Sequence, residues 1–246
     1  MHLKQTTNKT AETYKKRVQL KYRIMKLKSI FAATVLALLP QMLMAQWRVG
    51  VNAGATYNMY SIDKQYMTDY KYNGVWSFTT GVTGQYNFKD WFGLRAGLNV
   101  MQRNYRHTRS QMPEKLDMKY KNTYLMLPVT ANFSFGGKTL RGFTNLGIYA
   151  GYWMTSYRSG RDYNSFGRTV YEFSEKVPFY SERDRRWDFG YTGSVGMEYH
   201  FAKHWVAQAE VLCYYSAIST VKNMEYYKDY RYNTTIGIQA GVSYKF

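Results

Sequence analysis

The chain has 246 residues, room for one large domain or two small ones, and combines 45% hydrophobic and 18% aromatic residues with only four Pro and a mean hydropathy of −0.52. Its one cysteine, Cys213, excludes an intrachain disulfide and a Cys-based zinc site, and no cofactor is expected. The formal charge of +18 falls to +10 once residues 1–45 are set aside, and without an RNP, helix-turn-helix or zinc-finger pattern it does not indicate nucleic acid.

Residues 1–24 are polar and Lys-rich and fit no part of an export signal, so translation is expected to begin at Met25, with a long basic leader as the alternative. Residues 25–45 carry Lys26 and Lys28, an apolar run from Ile30 to Leu39, and Ala45 before Gln46, which predicts a cleaved signal peptide for export. The run is shorter than the roughly 20 apolar residues a spanning helix needs. Leu43 stands where a small residue is usual, and no Cys follows to suggest a lipoprotein signal.

From Gln46 onward the dominant signal has period two, the mark of strands with two unlike faces. The first strand sets Trp47, Val49, Val51, Ala53, Ala55 and Tyr57 against Arg48, Gly50, Asn52 and Gly54. The second, around Val75–Phe88, aligns Phe78, Thr80, Val82, Tyr86 and Phe88. The third, "WFGLRAGLNVMQRNY", sets Phe92, Leu94, Ala96, Leu98 and Val100 against Arg95, Gly97, Asn99 and Met101. A fourth, about Tyr120–Phe135, aligns Leu125, Leu127, Val129, Ala131, Phe133 and Phe135, and a fifth, about Gly142–Tyr157, aligns Leu146, Ile148, Ala150, Tyr152 and Met154. In the sixth, Trp187, Phe189, Tyr191, Val195, Met197, Tyr199 and Phe201 oppose Asp188, Thr192, Ser194, Glu198 and His200. The seventh opposes Trp205, Ala207, Ala209, Val211, Cys213 and Tyr215 to Gln208, Glu210 and Tyr214, and the eighth aligns Tyr232, Thr234, Ile236, Ile238, Ala240, Val242, Tyr244 and Phe246.

The connections alternate in length. "FKDW", "GGKTLR" and "AKH" join strands two to three, four to five and six to seven, whereas the other joins run to roughly 15, 14, 30 and 15 residues. Together these features predict that residues 46–246 are all-β: an eight-stranded antiparallel up-and-down transmembrane β-barrel with short periplasmic turns and long extracellular loops. Lipid offers the backbone no hydrogen-bond partner, so a sheet in a bilayer must close on itself. A soluble β-sandwich or lipocalin-like barrel is the alternative, and it would turn the apolar face inward.

The opening "VGVNAGATYN", the fourth-strand "TYLMLPVTANFSFG", and the later "GIYAGYW", "DFGYTGSVGMEYHF" and "GVSYKF" occur in this order over about residues 46–246. In these the chain resembles the outer-membrane β-barrel domain family of Bacteroidota, labelled porin-like or PorT-like. The resemblance implies residence in the outer membrane, with lipids and lipopolysaccharide as surroundings. It also implies insertion by the barrel-assembly machinery, which reads a last strand ending in an aromatic residue; Phe246, with Tyr244 behind it, fits that insertion signal. A few members of the family serve secretion machinery, and no motif here ties the chain to that role.

Two sets of residues stand out beyond the fold. Arg48, Arg95, Glu198 and Glu210 lie on the more polar face in the periplasmic halves of their strands and are expected to meet as a buried charge cluster in the lumen, a structural plug or else a gate; Arg103, Asp188 and Lys245 share that face. The third long loop is dense in Arg and aromatic residues: Tyr157, Arg161, Tyr163, Phe166, Arg168, Tyr171, Phe173, Phe179 and Tyr180 form a candidate surface for an extracellular protein or glycan, or else an ordinary solvated loop whose strand-like "TVYEFSE" extends a hairpin. No Ser/His/Asp set is visible: His107 lies in the second long loop, while His200 and His204 sit near a periplasmic turn. The expectation is a small non-enzymatic barrel acting as a membrane anchor or surface interaction protein. A narrow porin is the alternative, ahead of an outer-membrane enzyme or a secretion component.

Overall fold

The computed structural model describes residues 46–62, 70–109, 116–163, 169–222 and 230–246, so the expected leader and signal peptide lie outside the described residues. The described strands are β1 (Gln46–Ile62), β2 (Tyr70–Gly74), β3 (Trp76–Lys89), β4 (Phe92–Gln102), β5 (Tyr105–Arg109), β6 (Leu116–Gly136), β7 (Leu140–Tyr163), β8 (Thr169–Lys176), β9 (Trp187–His200), β10 (Trp205–Ser216) and β11 (Arg231–Lys245). Every pairing is antiparallel. The order β6-β4-β3-β1-β11-β10-β9-β7 closes through the β6–β7 pairing into an eight-stranded ring, with β2, β5 and β8 appended at the long-loop end.

The alternation decides which way the sheet faces. Val51, Ile148, Val211 and Ile238 are about three-fifths exposed on the outside, at 61%, 61%, 60% and 58%, whereas Asn52, Thr56, Asn145 and Thr235 are buried inside. This arrangement is the reverse of a soluble barrel, and the wall is built for hydrocarbon. Aromatic rings collect at both rims. At the short-turn end, Tyr86 packs between Trp47 and Phe88, and Trp91, Phe92 and Phe133 continue the row. At the other end Tyr57 meets Trp76, and Trp187 packs between Tyr152 and Phe189. Such rings have an apolar body and a polar tip, which suits the water–lipid boundary.

Three expectations need correction. The third strand does not run unbroken to Tyr105: it stops at Gln102 and resumes as β5. At the break the Arg103 N–H donates to the Asn122 carbonyl (2.8 Å), while the Asn122 N–H donates to the Asn104 side chain (3.0 Å), so an amide side chain replaces a ladder partner. His107 therefore lies on a strand rather than in a loop. The fourth and fifth strands are also longer than their apolar stretches, because β6 and β7 stay paired from Gly136–Arg141 to Leu116–Asp162, well beyond the lipid-facing band. Apolar alternation marks only the part in lipid, and above it a strand needs no greasy face.

The narrow ring leaves little room inside. Gly190 faces inward, and a Cβ there would lie 2.0 Å from the Tyr215 carbonyl oxygen and 2.9 Å from the Tyr149 ring. Pro128 also faces the lumen; lacking an N–H, it sits where the β4–β6 ladder lapses between Ala96–Val129 and Asn99–Met126. Gly190→Ala is expected to lower the temperature at which the refolded protein loses its compact, fast-migrating form on unheated gels. Gly84→Ala, whose added methyl meets nothing within 4 Å, leaves that temperature unchanged in the same assay.

Candidate functional site

Among the described residues the interior holds three buried arginine–carboxylate pairs in sequence along the barrel. Nearest the short turns, the Arg48 guanidinium donates to Glu198, which also accepts from His200 Nε2 (3.2 Å) and has Arg141 Nε at 3.7 Å. Further up, Arg95 donates through both terminal nitrogens to Glu210, at 2.8 and 3.3 Å. The same carboxylate accepts from Asn145, Ser194 and Gln239, so all its donors come from the surrounding wall. Toward the long loops, Arg103 donates to Asp188, which also accepts from the Tyr149 and Ser216 hydroxyls, each at 3.0 Å.

Arg103 is wholly buried. Its guanidinium lies 5.2, 5.3 and 6.0 Å from the rings of Tyr124, Tyr149 and Tyr214, so aromatic faces stand in for part of the water that burial removes. Neutral amides fill the space between the pairs: Gln85 donates to Asn132 (3.0 Å), Asn132 to Asn145 (2.8 Å) and Asn145 to Ser194 (2.8 Å). A cavity of about 40 Å³, bordered by Arg95, Glu210, Gly97 and Pro128, is large enough for water.

The four charges expected to cluster thus form two separate pairs, Arg48–Glu198 and Arg95–Glu210. Their strands put them on the same face but at different distances from the turns. The Arg103–Asp188 pair was hidden in the sequence because its members are 85 residues apart, one at the break after β4 and the other on β9, which do not adjoin in the ring. Their alternation into the interior was the available signal; the partnership needed the closed ring.

The residues of the candidate surface divide. Tyr157 and Arg161 lie on β7, Tyr163 ends it, and Tyr171 and Phe173 lie on β8, where Arg161 pairs with Glu172 (2.7 Å) and Arg158 with Glu175. Phe166 and Arg168 fall outside the described residues. Phe179 packs edge-on against Trp153 (4.9 Å) in the return toward β9, with the Arg186 guanidinium 4.7 Å from its ring and 4.5 Å from that of Tyr152. Tyr180 remains exposed beside Arg183, and its N–H donates to Asp184 (2.9 Å). The Asp184 carboxylate, hydrogen-bonded to Arg183, raises the pKa of that guanidinium. Burial, and then the Arg231 charge, lower the pKa of His107, which stacks on Tyr72 at 4.5 Å. These contacts build an ordered platform.

At the short-turn end, Tyr244 lies between Trp205 (5.3 Å) and Phe246 (5.1 Å), and the Phe246 N–H donates to the Trp47 carbonyl (3.0 Å). His204 Nδ1 contacts the Lys245 carbonyl and His200 contacts Glu198. Among the described residues no group of three or more His, Cys, Asp or Glu is arranged to hold a metal.

The model of the family described as "Outer membrane protein beta-barrel domain" matches residues 31–246. Among solved structures the chain is similar to the outer membrane protein OprG of Pseudomonas aeruginosa, with 13% identity, a TM-score of 0.48, and 82% of this chain and 95% of that one covered. It is also similar to Neisserial surface protein A, with 15% identity, a TM-score of 0.41, and coverage of 80% and 97%. A third is Ail, the attachment invasion locus protein of Yersinia pestis, with 15% identity, a TM-score of 0.37, and coverage of 81% and 98%. Among curated proteins none matches the chain.

Removing one member of a buried pair strands the other. Arg95→Ala, which leaves the Glu210 carboxylate three neutral donors, is expected to destabilise the refolded protein by about 3–5 kcal/mol in urea titrations from lipid vesicles. The double variant R95M/E210M is expected to recover most of that loss, because no buried ion is then left alone.

Proposed function

Because the chain belongs to the outer membrane protein β-barrel domain family, we propose that it is a non-enzymatic membrane anchor whose working surface is the structured platform at its long-loop, extracellular end. The observation that carries this reading is the filled lumen: Arg48–Glu198, Arg95–Glu210 and Arg103–Asp188 succeed one another along it, with amides packed between them. Each charge is held by a partner across the interior. An ion passing through would have to break these pairs in turn, at several kcal/mol each.

The partner chemistry follows from the exposed groups. The wall engages outer-membrane lipids and lipopolysaccharide. Tyr244 and Phe246 serve the barrel-assembly machinery during insertion, after export directed by residues 25–45. At the extracellular end, the exposed Tyr157, Tyr171 and Tyr180 offer rigid rings with a hydroxyl, and Arg161 adds directional charge, a mixture suited to an extracellular protein or glycan.

A narrow porin is the second reading, favoured by the cavity beside Arg95 and Glu210. Conductance separates the two. In planar bilayers the refolded wild-type protein is expected to give no stepwise current above the bare membrane, and the quadruple variant R95A/E210A/R103A/D188A, if it still folds, to give discrete steps. Reproducible unitary steps from the wild type would overturn the sealed-anchor reading.

A further inference from the structure

Above the rim rings of the long-loop end, β2, β5, β6, β7 and β8 continue as a five-stranded sheet whose outward face prolongs the lipid-facing wall. Residues paired across strands share a face, so the register sorts the outward side chains into rows. The row closest to the membrane is Lys121, Tyr157 and Lys176. The next is Asn73, Arg106, Lys119, Ser159 and Ser174, and the third is Lys71, Thr108, Asp117, Arg161 and Glu172. Both acids stand in the third row and are already paired, Asp117 with Arg106 and Glu172 with Arg161. Lys119, Lys121 and Lys176 make no ion pair among the described residues. A hollow of about 650 Å³ opens over Ser159, Gly160 and Ser174, where the side chains are small.

The height of these lysines is informative. Lys121 lies four residues along β6 from Leu125, which pairs with Tyr152 beside Trp187 in the upper aromatic row. At about 3.4 Å per residue and a tilt near 40°, that is about 10 Å above the ring belt, and a flexible lysine stem reaches back across much of it. The rest of the wall is different. Among the described residues there, the outward face carries Met59, Ser61, Trp187 and Tyr215, and the Arg186 guanidinium beside Trp187 is taken up by the Tyr152 and Phe179 rings.

We propose that Lys119, Lys121 and Lys176, flanked by Arg106, hold the phosphate of a phosphorylated lipid headgroup in the outer leaflet, approached sideways along the membrane surface. The inference rests on the outer-membrane placement given above and is independent of whether the lumen conducts. The carboxylates stand only in the third row, so the two rows nearer the membrane favour an anion there, and the shallow hollow leaves room for the sugar that carries it.

The full chain, refolded in zwitterionic micelles, is titrated with diphosphorylated lipid A, with dephosphorylated lipid A and with inorganic phosphate, and retained lipid is counted by native mass spectrometry. The wild type is expected to retain the diphosphorylated form at least tenfold better than the dephosphorylated one. In K119Q/K121Q/K176Q that preference is expected to fall below threefold, while K138Q/K203Q at the short turns keeps it. Equal retention of the two lipids by the wild type overturns the proposal without reference to any variant. An unchanged preference in the folded triple variant also overturns it, and displacement of the lipid by inorganic phosphate at equal concentration would reassign the lysines to a soluble anion. Failure of the sealed-lumen reading appears only in the conductance measurement.

Discussion

A backbone inside hydrocarbon has nowhere to donate or accept except to itself, and everything else in this molecule follows from meeting that demand with strands. The seam that meets it joins the first and last strands of the ring, in register from Arg48–Lys245 to Ile62–Arg231. Closing eight strands makes the tube narrow, and narrowness dictates what faces inward: glycine where a Cβ would strike the neighbouring strand, short amides and hydroxyls elsewhere, and charges where an opposite charge can be reached. Pro128, which cannot donate, falls where the ladder already lapses and a lumen cavity lies alongside.

The interior is a second consequence of closure. In a soluble protein the polar side chains would face water and the apolar ones would form the core; here the core is the polar side, and its cohesion is electrostatic. Glu210 alone gathers donors from Arg95, Asn145, Ser194 and Gln239, which sit on β4, β7, β9 and β11, so one carboxylate ties together half of the ring. The Arg103 cage does the same for the other end, with tyrosines from β6, β7 and β10 facing one cation. Networks of this kind fix one arrangement, since each member left unsatisfied in a low-dielectric interior is costly.

The parts legible in the sequence were those governed by local rules. Period two placed Val51, Ile148 and Ile238 outside and Asn52, Arg95 and Glu210 inside, and the alternation of tight and long joins implied an even-stranded ring. What was not legible depended on distance in the chain or on the absence of lipid. Which acid each arginine meets is set by ring closure, so Arg48 and Arg95 take different partners and Arg103 finds Asp188 across the lumen. The break at Arg103–Asn104 turns on one side-chain amide replacing a backbone group. The upper stretches of β6 and β7, together with β2 and β5, carry no greasy alternation and therefore read as loop, whereas the alternating "TVYEFSE" of β8 already carried the hairpin reading.

Those upper stretches also remove the rotational equivalence that a plain cylinder would have. One flank of the tube rises into the tall sheet of β2, β5, β6, β7 and β8, while above β9 and β10 the chain forms turns joined by the Asp184–Val221 bridge. Seen from outside the cell the molecule has a front and a back, so neighbours in a crowded leaflet meet different surfaces according to azimuth.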